Sequence, residues 1–364
     1  MSKNGLPRKP LTKRRLKNLI LNVLKNPFNM VVLVSLIILF CLIIIPLLTM
    51  ISSTFTLAQG ELRRVQGHVG DFTLYYWKYI LTGTMANAVL WGPLKNSFVC
   101  GFFTVLVSVP LGSVLAWLMI RTDIPGKKVL GLLVTVPYMI PSWTKALAWL
   151  AMFRNSTSGA NGFLAGMGIP IPDWLAYGPI AIVLCMSMHY YAFSYIMVSG
   201  ALRSINSELE EMGEIQGASK AQILRHITLP LILPSVLSAT VMTISKSIGT
   251  YGVPANLGNR IGYYTLATKM RNFIDQGPQA VGYAMSIVLV LLAAVIIFSN
   301  QRIVGVRKSY ATVSGKGGRA TLMPLGKAKK PLMAFLMVFL FLAMVVPFFV
   351  LIMETFQILS LIHI

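Results

Sequence analysis

The sequence predicts an all-α polytopic membrane protein, built as one six-span unit followed by the first span of a second copy. Three observations carry that reading. Of 364 residues, 55% are hydrophobic and only 12% charged, whereas a soluble domain carries about 25% charged residues. Mean hydropathy is +0.71. Apolar stretches of 23 to 26 residues recur along the chain, long enough to cross a bilayer as helices.

The elements follow in order. Residues 1–27 carry eight Lys or Arg and no acid. They read as a basic tail rather than a targeting peptide, because the next apolar run, Phe28 to Ile51, exceeds a signal-peptide core. The aromatic cluster Tyr75, Tyr76, Trp77 and Tyr79 closes a mixed segment, as an interfacial belt does. The second span is Asn96 to Ile120, and a basic turn, Arg121 to Lys128, follows it. The third, Val129 to Phe153, is interrupted by Pro137 and Pro141 and contains Lys145. Tyr177 to Leu202 is the fourth, Leu231 to about Asn256 the fifth with Lys246 inside it, and Gly277 to Gln301 the sixth. Residues 257–276 read as a polar loop, residues 302–330 as a basic linker, and Pro331 to Met353 as a seventh span. The domain reading is therefore a tail (1–27), a six-span unit (28–301) with a polar loop at 203–231, a linker (302–330) and one span of a further unit (331–364).

The net charge of +22 would point to nucleic acid on a soluble chain. Here the positive-inside rule accounts for it, and no nucleic-acid partner is expected. With the N-terminus inside and the spans alternating, the inside segments hold 22 of the 32 Lys and Arg and the outside segments seven. Cys41, Cys100 and Cys185 have no paired spacing, and His68, His189 and His226 no ligand spacing, so no disulfide or metal site is read from them.

The 203–231 loop is the one long polar stretch with helical patterning. Glu208, Glu210, Glu211 and Glu214 are four of the ten acidic residues. Gly217 stops a first helix, and Ser219 with Gln222 forms a capping box that starts a second, whose stripe is Ile223, Leu224 and Ile227. Pro230 and Pro234 frame its exit. Glu211, Gly217, Ile227, Leu229 and Pro230 stand at the spacing of the E-A-A, three residues, G, nine residues, I-x-L-P loop of binding-protein-dependent ABC importer permeases, which the chain resembles. Met212 and Gly213 depart from it where alanines are usual, and Gly213 lowers helix propensity by about 1 kcal/mol.

Ser245 to Gly258, SKSIGTYGVPANLG, is similar to the end of the fifth span in ferric-iron-type permeases, with Gly249, Gly252, Pro254, Ala255, Leu257 and Gly258 matching and Tyr251 in place of Phe. Those permeases are fused double units. The segments around Pro46 and Pro347 agree with that arrangement, since aligning the prolines also aligns Thr54-Phe55 with Thr355-Phe356. A double unit would be nearly twice as long, so the chain is expected to be a truncated product or fragment.

The resemblance implies a permease working with a cytoplasmic ABC ATPase dimer, an extracytoplasmic substrate-binding protein and membrane lipid, in a bacterial cytoplasmic membrane. The first helix of the loop would dock in the ATPase, with Glu211 as polar anchor and Gly217 letting the turn pack closely; the Arg121 to Lys128 turn would touch the ATPase as well. No phosphate-binding loop of the G-x-x-x-x-G-K-[ST] type occurs, so no cofactor is expected in the chain and ATP is expected on the partner. Ferric iron or a small anion is the implied substrate, with phosphonate, thiamine, polyamine or sugar as alternatives. Lys145, Lys246 and Tyr251 are the candidate pathway residues. A lysine in a span lines a cavity, finds a partner or snorkels to an interface. An ion-coupled secondary transporter is the competing class, but such proteins usually carry acids inside their spans, and the first six spans contain none.

Overall fold

A computed structural model describes residues 27–61, 65–158, 161–307 and 322–362. Residues 1–26 of the basic tail and residues 308–321 of the linker lie outside the described residues. The chain divides into two compact units, residues 1–75 and 76–364.

In the first unit, α1 (Pro27–Ser53) is apolar throughout and crosses a membrane by length. Beyond it, Thr56 and Phe72 pair antiparallel, with the Leu57 amide donating to Asp71 at 2.9 Å and the Thr73 amide to Phe55 at 2.8 Å. The Phe55 and Phe72 rings stack at 6.0 Å.

A short helix, α2 (Tyr75–Leu81), opens the second unit from Tyr76 onward. Next come α3 (Gly92–Arg121), α4 (Lys127–Met139), α5 (Ser142–Phe153) and α6 (Gly178–Arg203). The polar loop supplies α7 (Ser207–Ile215) and α8 (Lys220–Ile223), followed by α9 (Leu229–Ile248). Then α10 (Gly252–Gly258), α11 (Leu266–Gln276) and α12 (Gln279–Arg307) complete the bundle, and α13 (Lys329–Leu340) and α14 (Val346–Ile362) make the last span.

The span at the centre is α6, with 61% of its apolar window buried, more than any other. It packs on α3 through small residues. A Cβ on Gly112 would run into the Tyr191 carbonyl and the Ser194 Cβ, so only glycine permits this approach. Tyr191 also meets Phe339 of α13 edge-on at 4.9 Å, and Leu336, Phe339 and Leu340 join the same buried cluster. The last apolar helix therefore packs on α3, α4, α6 and α9 within the second unit.

Among the described residues, six helical runs are long and apolar enough to cross a membrane. The expected third span is not one of them. It divides at Ile140–Pro141 into α4 and α5, while Pro137 stays inside α4. The residue before a proline is pushed from helical to extended backbone, and Ile140 adopts φ −80°, ψ 130°.

Three other prolines are absorbed instead. Five-residue π-helical turns cover Asn87–Trp91, Leu224–Thr228 and Phe341–Val345. They precede Pro93, Pro230 and Pro347, each proline two residues past its turn. A proline clashes with the carbonyl four residues back and cannot donate to it. In each case that residue (Val89, His226 or Ala343) is the middle of the π turn, where the wider ring shifts the carbonyl register. The helices run on as a result. The second span begins at Asn87 rather than Asn96, and α8 continues without an exit at Pro230, so Lys220–Ile248 is one run. Residues 257–276, expected as a loop, end α10 and form α11, whose Leu266 amide donates to Ser97 Oγ at 2.8 Å.

Gly112→Val should lower stability by about 1–3 kcal/mol through overpacking. Thermal denaturation in detergent checks this, and an unchanged melting temperature would mean that the α3–α6 contact is looser than described.

Candidate functional site

The polar loop starts where Asn206 Oδ1 accepts the Glu208 amide at 3.1 Å, capping α7. It turns where Gly217 adopts φ +82°, in the left-handed region. The Gly217 amide donates to Glu214 and the Ala218 amide to Gly213, both at 3.0 Å, the paired bonds of a Schellman stop. The capping box then opens α8, with the Ser219 amide donating to Gln222 Oε1 at 2.7 Å. Nothing lies within 4 Å of a Cβ built on Gly217. Its backbone angle requires glycine; close packing within the chain does not. Gly213 is the tight position, since a Cβ there would sit 3.2 Å from Ile227 Cδ1 and 3.3 Å from Ile223 Cγ1.

Glu211 is exposed on α7, beside Met212 and Ile215, which are 61% and 85% exposed. Ile227 is half-buried against α7, while Leu229 and Pro230 are exposed at the start of α9. The loop thus presents an apolar knob edged by carboxylates.

A residue that sequence reasoning passed over holds this loop in place. Glu210 is buried, and its Oε2 accepts from Arg121 Nη1 at 2.7 Å while its Oε1 accepts from Thr228 Oγ1 at 2.8 Å. Arg121 Nη2 donates to the Leu202 carbonyl at 3.1 Å. One carboxylate and one guanidinium so join the ends of α3 and α6 to both sides of the loop. Arg121 was expected on a turn facing a partner; it is 2% exposed and faces inward. The available signal was positional, since Arg121 ends an uncharged span and Glu210 lies one residue before the recognised Glu211.

The linker closes over the same point. Thr122 bridges Met323 in parallel, and the Met323 amide donates to the Arg121 carbonyl at 2.8 Å. Asp123 Oδ1 accepts the Leu325 amide at 3.0 Å and its Oδ2 accepts Lys329 Nζ at 3.0 Å. The Leu325 amide, and next the Lys329 ammonium, hold the Asp123 carboxyl below its ordinary range.

A second constellation lies halfway along α6. Lys145 is buried, and its Nζ donates to the Met188 carbonyl at 3.2 Å and lies 3.2 Å from His189 Nδ1. That excludes snorkelling for Lys145 and gives His189 a role that spacing did not reveal. Tyr138 stacks on His189 at 5.1 Å and meets Phe193 at 5.9 Å. Lys246 Nζ stands 5.5 Å from the centre of the Phe193 ring. Tyr190 Oη lies 2.6 Å from Thr250 Oγ1, in the break between α9 and α10, and Tyr251 is exposed next to it. The fifth span accordingly ends at Ile248 and resumes at Gly252, not at the expected Asn256.

Both interrupted spans break against the same stretch of α6. The starts of α5 and α10 touch there, a Cβ on Gly252 lying 2.5 Å from Trp143 Cβ. Lys145 also borders an apolar cavity of about 230 Å³ that reaches Leu342 and Pro347 of the last span. Among the described residues no cluster of His, Cys, Asp and Glu could hold a metal ion.

Residues 108–308 match the family of binding-protein-dependent transport system inner membrane components. The putative 2-aminoethylphosphonate transport system permease protein PhnV of Salmonella typhimurium is 28% identical over 232 residues, 64% of this chain and 80% of that one. The sulfate transport system permease protein CysT of the same organism is 26% identical over 220 residues, 60% and 76%. A probable sulfate permease of Marchantia polymorpha is 28% identical over 189 residues, where the match spans 50% of this chain and 62% of the relative. A solved bacterial ABC transporter that imports the acidic polysaccharide alginate shares the fold, with a TM-score of 0.57 and 18% identity over 79% of this chain and 98% of that one.

Removing one partner of the buried pair, by Glu210→Met or Arg121→Met, should cost about 3–5 kcal/mol, and the double substitution should recover much of it. Denaturation in detergent reads this out; equal losses in single and double variants would contradict a paired clamp. The depressed Asp123 carboxyl stabilises the linker contact above the unfolded carboxyl pKa of about 4, and that stability is lost as pH falls through the lower folded value. Amide exchange at 322–329 should therefore speed up below about pH 4, and Asp123→Asn should remove that pH dependence.

Proposed function

The chain belongs to the family of binding-protein-dependent transport system inner membrane components, and from that premise we propose that it is the permease of an ATP-driven importer for a small oxyanion. It is a multi-pass inner-membrane transport component rather than an enzyme. The ATPase dimer and the substrate-binding protein are the partners this role requires, with ATP held by the former. The charge bias supports a cytoplasmic N-terminus and Glu211 loop, within reach of an ATPase.

The observation that carries the reading is the pair of lysines at two helix breaks on one level of α6. Discontinuous spans near the bilayer midplane form substrate sites in other transporters, with half-helix N-termini turned toward anionic groups. Lys145, in the first turn of α5, and Lys246, beside Phe193, add positive charge at that level. Tyr251, exposed at the second break, can donate to an anion entering from the other side. Sulfate and 2-aminoethylphosphonate fit this chemistry and are named for two of the relatives. They replace ferric iron as the favoured cargo: the site offers cations, and iron would have to enter bound to anionic ligands.

On the loop side, Glu211, Met212 and Ile215 form the docking face. Gly213 and Gly217 shape the helix and its stop, while Ile227, Leu229 and Pro230 carry the motion into α9. The last span reads as the start of a second permease unit, seated on the first through Phe339 and Tyr191.

Uptake of radiolabelled sulfate and 2-aminoethylphosphonate, in cells expressing the permease with its ATPase and binding protein, tests the lysines. Lys145→Met and Lys246→Met should each reduce uptake about 10- to 100-fold, the equivalent of one lost charge-assisted contact, while the ATPase still co-purifies. Unchanged uptake would sink the oxyanion site. Ile215→Arg should instead abolish co-purification.

A further inference from the structure

At the loop end of the bundle, α4 and α6 part to leave a cleft of about 710 Å³. Its mouth is formed by Lys127, Lys128 and Arg203, and none of its lining residues is acidic. Deeper in, Thr135 of α4 and Ile196 of α6 line the walls. Each lies seven residues from the charged mouth, about 10 Å along a helix. Leu132 and Ile196 are 65% and 45% exposed on this side. The cleft therefore grades from three cations to an apolar wall along the membrane normal.

We propose that this cleft is a binding site for an anionic phospholipid, its phosphate diester held at the mouth and an acyl chain laid against Leu132 and Ile196. Charge and shape both favour that occupant. Basic pockets between transmembrane helices on the cytoplasmic side suit anionic headgroups, and a cationic mouth over an apolar wall matches an amphiphile. A free oxyanion would use the mouth alone. The positive-inside bias accounts for bases at this edge but not for a cleft walled by them. Lys127 is partly engaged, donating to the Thr122 carbonyl at 3.1 Å. Lys128 and Arg203 are exposed and free to turn toward a headgroup.

Native mass spectrometry tests the site, using the purified full chain released from micelles that hold equal amounts of phosphatidylglycerol and phosphatidylcholine. Wild type should retain phosphatidylglycerol in preference. Lys128→Gln and Arg203→Gln should each cut that preference about fivefold, the share of one basic residue near an anionic surface, and the double variant should abolish it. Arg302→Gln, an exposed base at the same edge on α12, should leave it intact. Equal retention of the two lipids by wild type, the same loss with Arg302→Gln, or displacement of the lipid by inorganic phosphate would each overturn the proposal.

Discussion

The Arg121–Glu210 ion pair is the constraint on which the rest of the loop end depends. Two charges out of water are tolerated because both carboxylate oxygens and both terminal guanidinium nitrogens have partners, the Arg121 Nε alone of the guanidinium nitrogens having none. Thr228 donates to the second carboxylate oxygen, and the Leu202 carbonyl accepts from the guanidinium. A buried pair of this kind contributes little net stability but penalises any arrangement that separates it. The loop can therefore move only with α3 and α6, or by paying for an uncompensated charge. Because the Arg121 carbonyl also accepts from Met323, the linker to the last span is tied to the same residue. A displacement delivered at the exposed face of α7 has one stiff route into the bundle and a second into the seventh span.

Proline shapes the other half of the architecture; some prolines, such as Pro110, Pro137 and Pro234, stay inside helices, and two further outcomes set the architecture. Where a π turn precedes it, the helix carries on, as at Pro93, Pro230 and Pro347. At Pro141 the preceding residue becomes extended and the span divides. The continuous outcome at Pro230 makes α8 and α9 one lever from the polar loop to the middle of the bundle. The divided outcome at Pro141, together with the break at Thr250, frees backbone at the level where Lys145, His189, Phe193 and Lys246 meet. The polar loop and the candidate site are thus joined by one continuous helical run, Lys220–Ile248.

Much of this was legible in the sequence, and the remainder was hidden for physical reasons. Span positions follow from hydropathy, and the turn at Gly217 and the capping box at Ser219 follow from local chemistry; all of these depend on residues a few positions apart. The starts of the second and fifth spans were misplaced because a π turn leaves no mark on hydropathy and a proline reads as a stop. Residues 257–276 read as a loop because α11 is amphipathic and largely polar, and its burial comes from α3 and α12. Glu210 went unmarked beside Glu211, since both are glutamates on one helix and only the fold shows which one turns inward. His189 lay in an apolar run with no partner in sequence; its partner, Lys145, is 44 residues away.

The most direct measurement of the central claim is binding-protein-stimulated ATP hydrolysis by the reconstituted transporter carrying Arg121→Glu, Glu210→Arg, or both. If the pair transmits motion from the loop to the bundle, each single reversal abolishes stimulation and the double reversal restores a substantial part of it. Full stimulation in either single variant, or a double variant no better than the worse single one, would contradict the account.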